Sequence, residues 1–242
     1  VGFAWRGHFK NNPPEVPVKD NHVGSYRRTI NIPDTWKGKQ VVAHFGSVTS
    51  NIYLWVNGHF VGYSEDSKVA PEFDITPYLK PGANLIAFQT FRWCDGSYCE
   101  DQDFWRLSGV ARQSYLYARD KKAQLNDLRI TPDLTDNYTN GTLTLDATTT
   151  GSVTLIYQLM DAAGNIVAHK RANSGKTTLN VPNVKRWTAE TPYLYTLNTI
   201  VMDMRVKKEQ RPSKLDTTVY VAHCTQKVGF RKVEIRNAQL LV

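Results

Sequence analysis

Two short runs of alternating character, Ile52–Val56 and His59–Tyr63, flank the dipeptide Asn57-Gly58. Asn-Gly suits the two successive positive-φ positions of a type I′ turn, so the segment predicts a β-hairpin. That local motif sets the theme for the chain. Runs rich in β-branched and aromatic residues recur along it, separated by Gly, Pro, Asn and Asp at roughly ten-residue intervals, and helical periodicity is nearly absent. Strands are expected at Tyr26–Ile32, Gln40–Phe45 and Asn84–Trp93, with Phe73–Leu79 running into the turn Lys80-Pro81-Gly82 and Ala111–Ala118 closing the set. An antiparallel sandwich or barrel follows.

The charged stretch Arg119-Asp120-Lys121-Lys122 interrupts the pattern and reads as a boundary. Beyond it the expected strands are Gln124–Thr131, Thr142–Thr148, Val153–Met160, Ile166–Arg171, Thr177–Val181, Tyr195–Asp203, Thr217–Ala222 and a last run, Lys227–Arg236. Short strands at this spacing are the signature of an immunoglobulin-like sandwich. The fold class is therefore all-β, two sandwiches in series. With 41% hydrophobic residues the chain has enough apolar material for real cores.

Several functions are excluded on this evidence. The net charge of +8 comes from basic residues that are mostly scattered; the cluster Arg205, Lys207, Lys208, Arg211 and Lys214 reads as a solvated loop, so no nucleic-acid partner is expected. No apolar run approaches the ~20 residues a membrane helix needs, so no membrane partner is expected, and the protein is read as soluble, cytoplasmic or periplasmic. Cys94, Cys99 and Cys224 lack zinc spacing and are read as free thiols, with a Cys94–Cys99 bridge as the alternative. His8, His22, His44, His59, His169 and His223 are dispersed and read as packing or surface residues. The apolar ending Leu240-Leu241-Val242 and the absence of an initiator Met lead to the expectation of a piece of a longer protein.

The region with chemistry in it is Arg92–Gly109. Asp95, Glu100, Asp101 and Asp103 lie among Trp93, Tyr98, Phe104 and Trp105, with Arg92 and Arg106 near the ends. Aromatic faces can cover the apolar side of a pyranose while carboxylates accept bonds from its hydroxyls. The competing reading is that the acids pair with the arginines and cap loop N–H groups, which pins the loop. On composition alone that second reading carries more weight.

The segment Trp93–Gly109 resembles a motif of the β-galactosidases of glycoside hydrolase family 2, of the form W-x-D-G-S-Y-x-E-D-Q-D-x-W-R-x-S-G. Further likenesses follow in the same order: Val23-Gly24-Ser25-Tyr26, Leu54-Trp55-Val56-Asn57-Gly58 with Val61–Ser67, Glu72-Phe73-Asp74, Trp187–Pro192 with Leu194-Tyr195, and Val228-Gly229-Phe230-Arg231 with Val233-Glu234-Ile235. The resemblance implies a galactose-binding-like jelly roll over residues 1–120, an immunoglobulin-like sandwich over 121–236, and at 237–242 the start of a linker to a catalytic barrel absent from this sequence. It implies a parent enzyme, monomeric or homo-oligomeric, that hydrolyses terminal β-galactosides with retention. Both catalytic glutamates would lie in that barrel, so no catalytic residue is expected in this chain. Asp95 matches the family's loop aspartate, which implies contact with the sugar and a share in a sodium site completed by the barrel; magnesium is implied for the whole enzyme. Thr49 stands where some relatives carry an Asn at the sugar site, and it is not expected to replace that contact. The alternatives are a β-glucuronidase-type relative, a free-standing carbohydrate-binding module, and a structural adhesion pair.

Overall fold

The structure, a computed structural model, describes residues 13–100, 107–205 and 221–241. The chain divides into two compact units, Val1–Arg119 and Asp120–Val242.

In the first unit β1 (Val23–Asn31), β2 (Gln40–Phe45), β3 (Val48–Thr49), β4 (Asn51–Val56), β5 (His59–Glu65), β6 (Glu72–Asp74) and β7 (Ala83–Phe91) are followed by one short helix, α1 (Gly96–Cys99), and by β8 (Gly109–Val110) and β9 (Ser114–Arg119). One sheet has the order β1-β7-β4-β5 and the other β6-β2-β9, while β3 pairs with β8; every pairing is antiparallel. Period-two alternation explains the packing. Ile52, Leu54 and Val56 of β4 point inward and meet Val41, Ala43 and Phe45 of β2, all of them buried.

The hairpin turns at Asn57 (φ 53°) and Gly58 (φ 84°), as Asn-Gly requires. Its register shifts once. Leu54 faces Gly62 but Trp55 faces Phe60, so Val61 is an extra residue that packs against the core. This bulge turns Phe60 to the outer face, beside Trp55. The expected run Phe73–Leu79 is a strand only to Asp74. There the Asp74 carboxylate accepts bonds from the Thr76 N–H (3.0 Å) and hydroxyl (2.5 Å), and Pro77 sits inside a single 3₁₀ turn, Thr76–Tyr78. A side chain that captures the backbone locally takes it out of the ladder.

In the second unit β10 (Gln124–Thr135), β11 (Asn140–Thr150) and β14 (Gly175–Val181) form one sheet. The other has the order β13 (Ile166–Ala172), β12 (Val153–Met160), β15 (Tyr195–Asp203) and β16 (Ala222–Val228). Leu143, Leu145, Leu155, Tyr157, Leu159, Leu197 and Phe230 form a fully enclosed core between these strands. β10 runs through Pro132 to Thr135, further than its sequence suggests, because it is an edge strand and Pro132 need donate to no outer neighbour. The expected strand Thr217–Ala222 lies largely outside the described residues. The expected run Lys227–Arg236 is broken: β16 ends at Val228, and Phe230 turns into the core, bridging Arg186. β17 (Glu234–Arg236) then turns at Asn237-Ala238 into β18 (Gln239–Leu241), so residues read as the start of a linker form a hairpin. Among the described residues no helix is long and apolar enough to cross a membrane.

Candidate sugar-facing loop

The loop after β7 is built outward from an anchored tryptophan. Trp93 is 2% exposed, and its backbone is gripped by the Asn21 side chain, which accepts from the Trp93 N–H (2.9 Å) and donates to its carbonyl (3.0 Å). The Ser97 hydroxyl accepts from the Cys94 N–H at 3.1 Å and starts α1. Two glutamates then tie the loop to the segment after β5. Glu65 accepts from the Gly96 N–H (3.2 Å) with one oxygen and from the Tyr63 hydroxyl with the other. Glu100 takes the Ser67 N–H (2.7 Å) and hydroxyl (2.5 Å), and Ser67 in turn receives the Ser47 hydroxyl on its carbonyl (2.6 Å). The Tyr98 hydroxyl donates to the Glu15 carbonyl at 2.5 Å.

Asp95 stands apart from this fastening. It is exposed, and among the described residues none hydrogen-bonds or pairs with its carboxylate. Arg92, a candidate partner on sequence grounds, instead lays its guanidinium over the Trp93 ring at 5.2 Å. Asp101, Asp103, Phe104, Trp105 and Arg106 lie outside the described residues. Thr49 pairs with Gly109 across β3 and β8, and its carbonyl accepts the Thr90 hydroxyl (3.0 Å).

Burial pushes the Cys94 thiol up, against weaker opposing hydrogen bonds to Ser50 and Ser97. Burial also pushes the Tyr63 hydroxyl far above the ordinary phenol range, and its bond to Glu65 adds to the effect. An oxygen of Glu65, the Cys94 sulfur and an oxygen of Asp95 lie within 4.8 Å of one another. The sequence does not show this grouping, because Glu65 arrives from the end of the hairpin, 30 residues before Asp95. Both Glu65 oxygens are engaged and a protonated thiol is a poor ligand for a hard cation. Among the described residues Asp95 therefore brings the group's one unengaged carboxylate, a donor that suits a hard cation such as sodium, and the three side chains do not complete a site. The three cysteines are free. His44 pairs with Glu72 (2.9 Å) and stacks on Tyr115, while Arg205 pairs with Asp203 at 2.5 Å; Lys207, Lys208, Arg211, Lys214 and His8 lie outside the described residues.

A depression of about 540 Å³ opens beside Asp95, lined by Glu15, Asn51, Tyr53, Tyr63 and Phe91 among others. Its mixture of aromatic faces and polar groups suits a saccharide. Comparison with known families agrees: residues 8–120 match the sugar binding domain of the glycosyl hydrolases of family 2, and residues 123–231 match the next domain of the same family. The chain belongs to glycoside hydrolase family 2.

Within family 2, the chain is 36% identical over 260 residues to a β-galactosidase of Priestia megaterium, covering 100% of this chain and 24% of that protein. It is 38% identical over 241 residues to one of Clostridium acetobutylicum, covering 97% and 25%. The chain thus spans about a quarter of the length of the curated relatives it matches. Among solved structures, Bifidobacterium dentium β-glucuronidase complexed with coumarin-3-O-glucuronide superposes with a TM-score of 0.76 at 19% identity, over 90% of this chain and 41% of that one. Ruminococcus gnavus β-glucuronidase does so with 0.72 at 22%, over 90% and 36%. At these identities the likeness is one of fold, and it is the fold expected: a family 2 sugar-binding sandwich followed by an immunoglobulin-like one.

Proposed function

We propose that this chain is the non-catalytic front of a retaining β-galactosidase, in which Asp95 reaches the galactose of the substrate. The observation that carries the reading is the contrast within the loop. Glu65, Glu100, Asn21 and Ser97 are consumed in fastening it, and Asp95 is left exposed at its turn with no described partner. A carboxylate held this way accepts sugar hydroxyls without first breaking a bond or ordering its backbone, and each charge-assisted bond contributes about 1.5–3 kcal/mol. The identities of 36% and 38% to β-galactosidases favour galactose, while the β-glucuronidases, at 19% and 22%, share the fold alone.

Asp95 would also give sodium a charged oxygen, the ion serving to hold sugar oxygens in place; magnesium belongs to this proposal only through the family resemblance. Glycoside hydrolysis with retention needs two available carboxyl groups about 5–5.5 Å apart. Glu65 and Asp95 are close enough to raise the question, but Glu65 is bonded through both oxygens. The chain alone should therefore not hydrolyse a chromogenic β-galactoside, and turnover that survives repurification would end the reading.

The decisive variant is Asp95→Asn in the full enzyme. Neutralising the acceptor should lower kcat/KM at least about tenfold, roughly 1.4 kcal/mol, with little change in melting temperature. Unchanged kinetics with a lowered melting temperature would make Asp95 a structural residue.

A further inference from the structure

The outer face of the β1-β7-β4-β5 sheet carries a second surface that Asp95 does not account for. On β4, Tyr53 and Trp55 point outward, with ring centroids 6.2 Å apart and planes within 20°. Across the hairpin Tyr63 lies 4.4 Å from Tyr53, and Phe60, brought outward by the bulge at Val61, lies 5.6 Å from Trp55. Phe60 is 52% exposed and Tyr63 41%. An aromatic group so exposed does not earn its place in the core.

The other half of the same face is polar. In register with Tyr53 and Trp55 on β7 stand Gln89 and Ala87, and opposite those on β1 stand Ser25 and Arg27. Ala87 is the small residue between Trp55 and Arg27, and a shallow cleft of about 470 Å³ opens over it. Its rim carries the Gln89 amide and the Ser25 hydroxyl, joined at 3.2 Å, with further donors and lone pairs turned outward.

We infer that this cleft and its aromatic border bind a neutral, extended oligosaccharide. Two features select that occupant over a protein surface. A stable protein interface is apolar at its centre, whereas here the Trp55 ring, backed by Tyr53 and Phe60, stands across the Ala87 methyl from the polar side chains of Gln89, Ser25 and Arg27. A pyranose has the complementary division: C–H bonds on one ring face and hydroxyls around its edge. The single described charge at the cleft is Arg27, with no carboxylate to match, so a polyanion or polycation is not called for. The second feature is continuity. Tyr53 and Tyr63 border both this surface and the depression that ends on Asp95, so a saccharide lying along β4 passes from one to the other. Binding in the cleft does not depend on what Asp95 touches, and the two readings stand or fall separately.

The test uses the 242-residue chain with ¹⁵N labelling, titrated with β-1,4-galactotetraose and, in parallel, with galactose. The tetrasaccharide should shift the Trp55 indole and Gln89 side-chain amide signals, and galactose should do so far more weakly. Trp55→Ala and Phe60→Ala, both at outward positions, should each weaken the tetrasaccharide about tenfold. No shift at Trp55 and Gln89 with the tetrasaccharide would overturn the inference. So would shifts indifferent to both aromatic substitutions. Self-association through this face, seen as concentration-dependent sedimentation abolished by Trp55→Ala, would assign it to a second copy instead. Loss of kcat/KM with Asp95→Asn bears only on the loop reading.

Discussion

In the core of the second unit two hydroxyls are buried without a described bond. Tyr157 on β12 and Thr199 on β15 are directly opposed, both 0% exposed, and neither oxygen has a hydrogen-bond partner among the described residues. A buried hydroxyl that has left water and found no partner costs about 1–3 kcal/mol. Tyr157→Phe keeps the ring and removes the oxygen, so it should stabilise this unit by about 1 kcal/mol, near 3–6 °C in melting temperature for a unit of this size. The effect should grow in alkali. Burial, helped by the Asp146 carboxylate, pushes the Tyr157 hydroxyl up to about 12 from the ordinary 10.0. A pKa raised on folding gives stability that is complete below pH 10 and is lost as pH rises towards 12, because the unfolded chain ionises first. At pH 11 one unit of that interval has been crossed, on the order of 1 kcal/mol. The gap between Tyr157→Phe and wild type should widen by that amount between pH 7 and pH 11. Amide exchange of β12 and β15 under mild urea reads this unit by itself. Tyr157→Phe, Thr199→Val and the double variant complete a cycle. A destabilised Tyr157→Phe, or a coupling above about 1 kcal/mol, would show that the hydroxyls are bonded to each other or through water and would refute the argument.

Two further substitutions test the packing. A Cβ at Gly141 would lie 2.8 Å from Cδ1 of the buried Phe230 ring, so Gly141→Ala should cost about 1–3 kcal/mol, measured as a lowered midpoint in urea. Asn84, 1% exposed, bonds the Lys80 N–H, the Lys80 and Gly82 carbonyls and the Asn57 amide; Asn84→Ala should cost about 2–4 kcal/mol in thermal melts, and Asn84→Asp should recover only part of it because the donors are lost.

Where the chain's signals are local, the sequence is a reliable guide. Asn57-Gly58 placed its hairpin, and Gln40–Phe45, Val153–Met160 and Tyr195–Asp203 have the bounds that their apolar runs suggest. Signals that depend on neighbours misled. Pro132 looks like a stop until β10 is known to be an edge, and Lys227–Arg236 looks continuous until Phe230 is drawn into the core between strands distant in sequence. The bulge at Val61 has no sequence signature at all, because which residue is extra depends on the partner strand. At the loop the motif pointed to Asp95 but not to what separates it from its acidic neighbours. Glu100 reads as a ligand of equal merit, and only Ser67, 33 residues away, shows it to be a fastening. Conversely, Arg92 looks like a natural partner for Asp95 and lies over Trp93 instead.

The fastenings of the loop reach across the chain: Asn21 is 72 residues from Trp93, Glu65 is 31 from Gly96 and Ser67 is 33 from Glu100. Contacts of that span cannot form until the strands carrying them have found one another. The position of Asp95 is therefore a late product of folding, one that a peptide spanning Arg92–Gly109 would not reproduce. Anyone transplanting the loop to another scaffold would have to carry the three distant residues with it, so the heritable unit of this site is the sandwich rather than the motif.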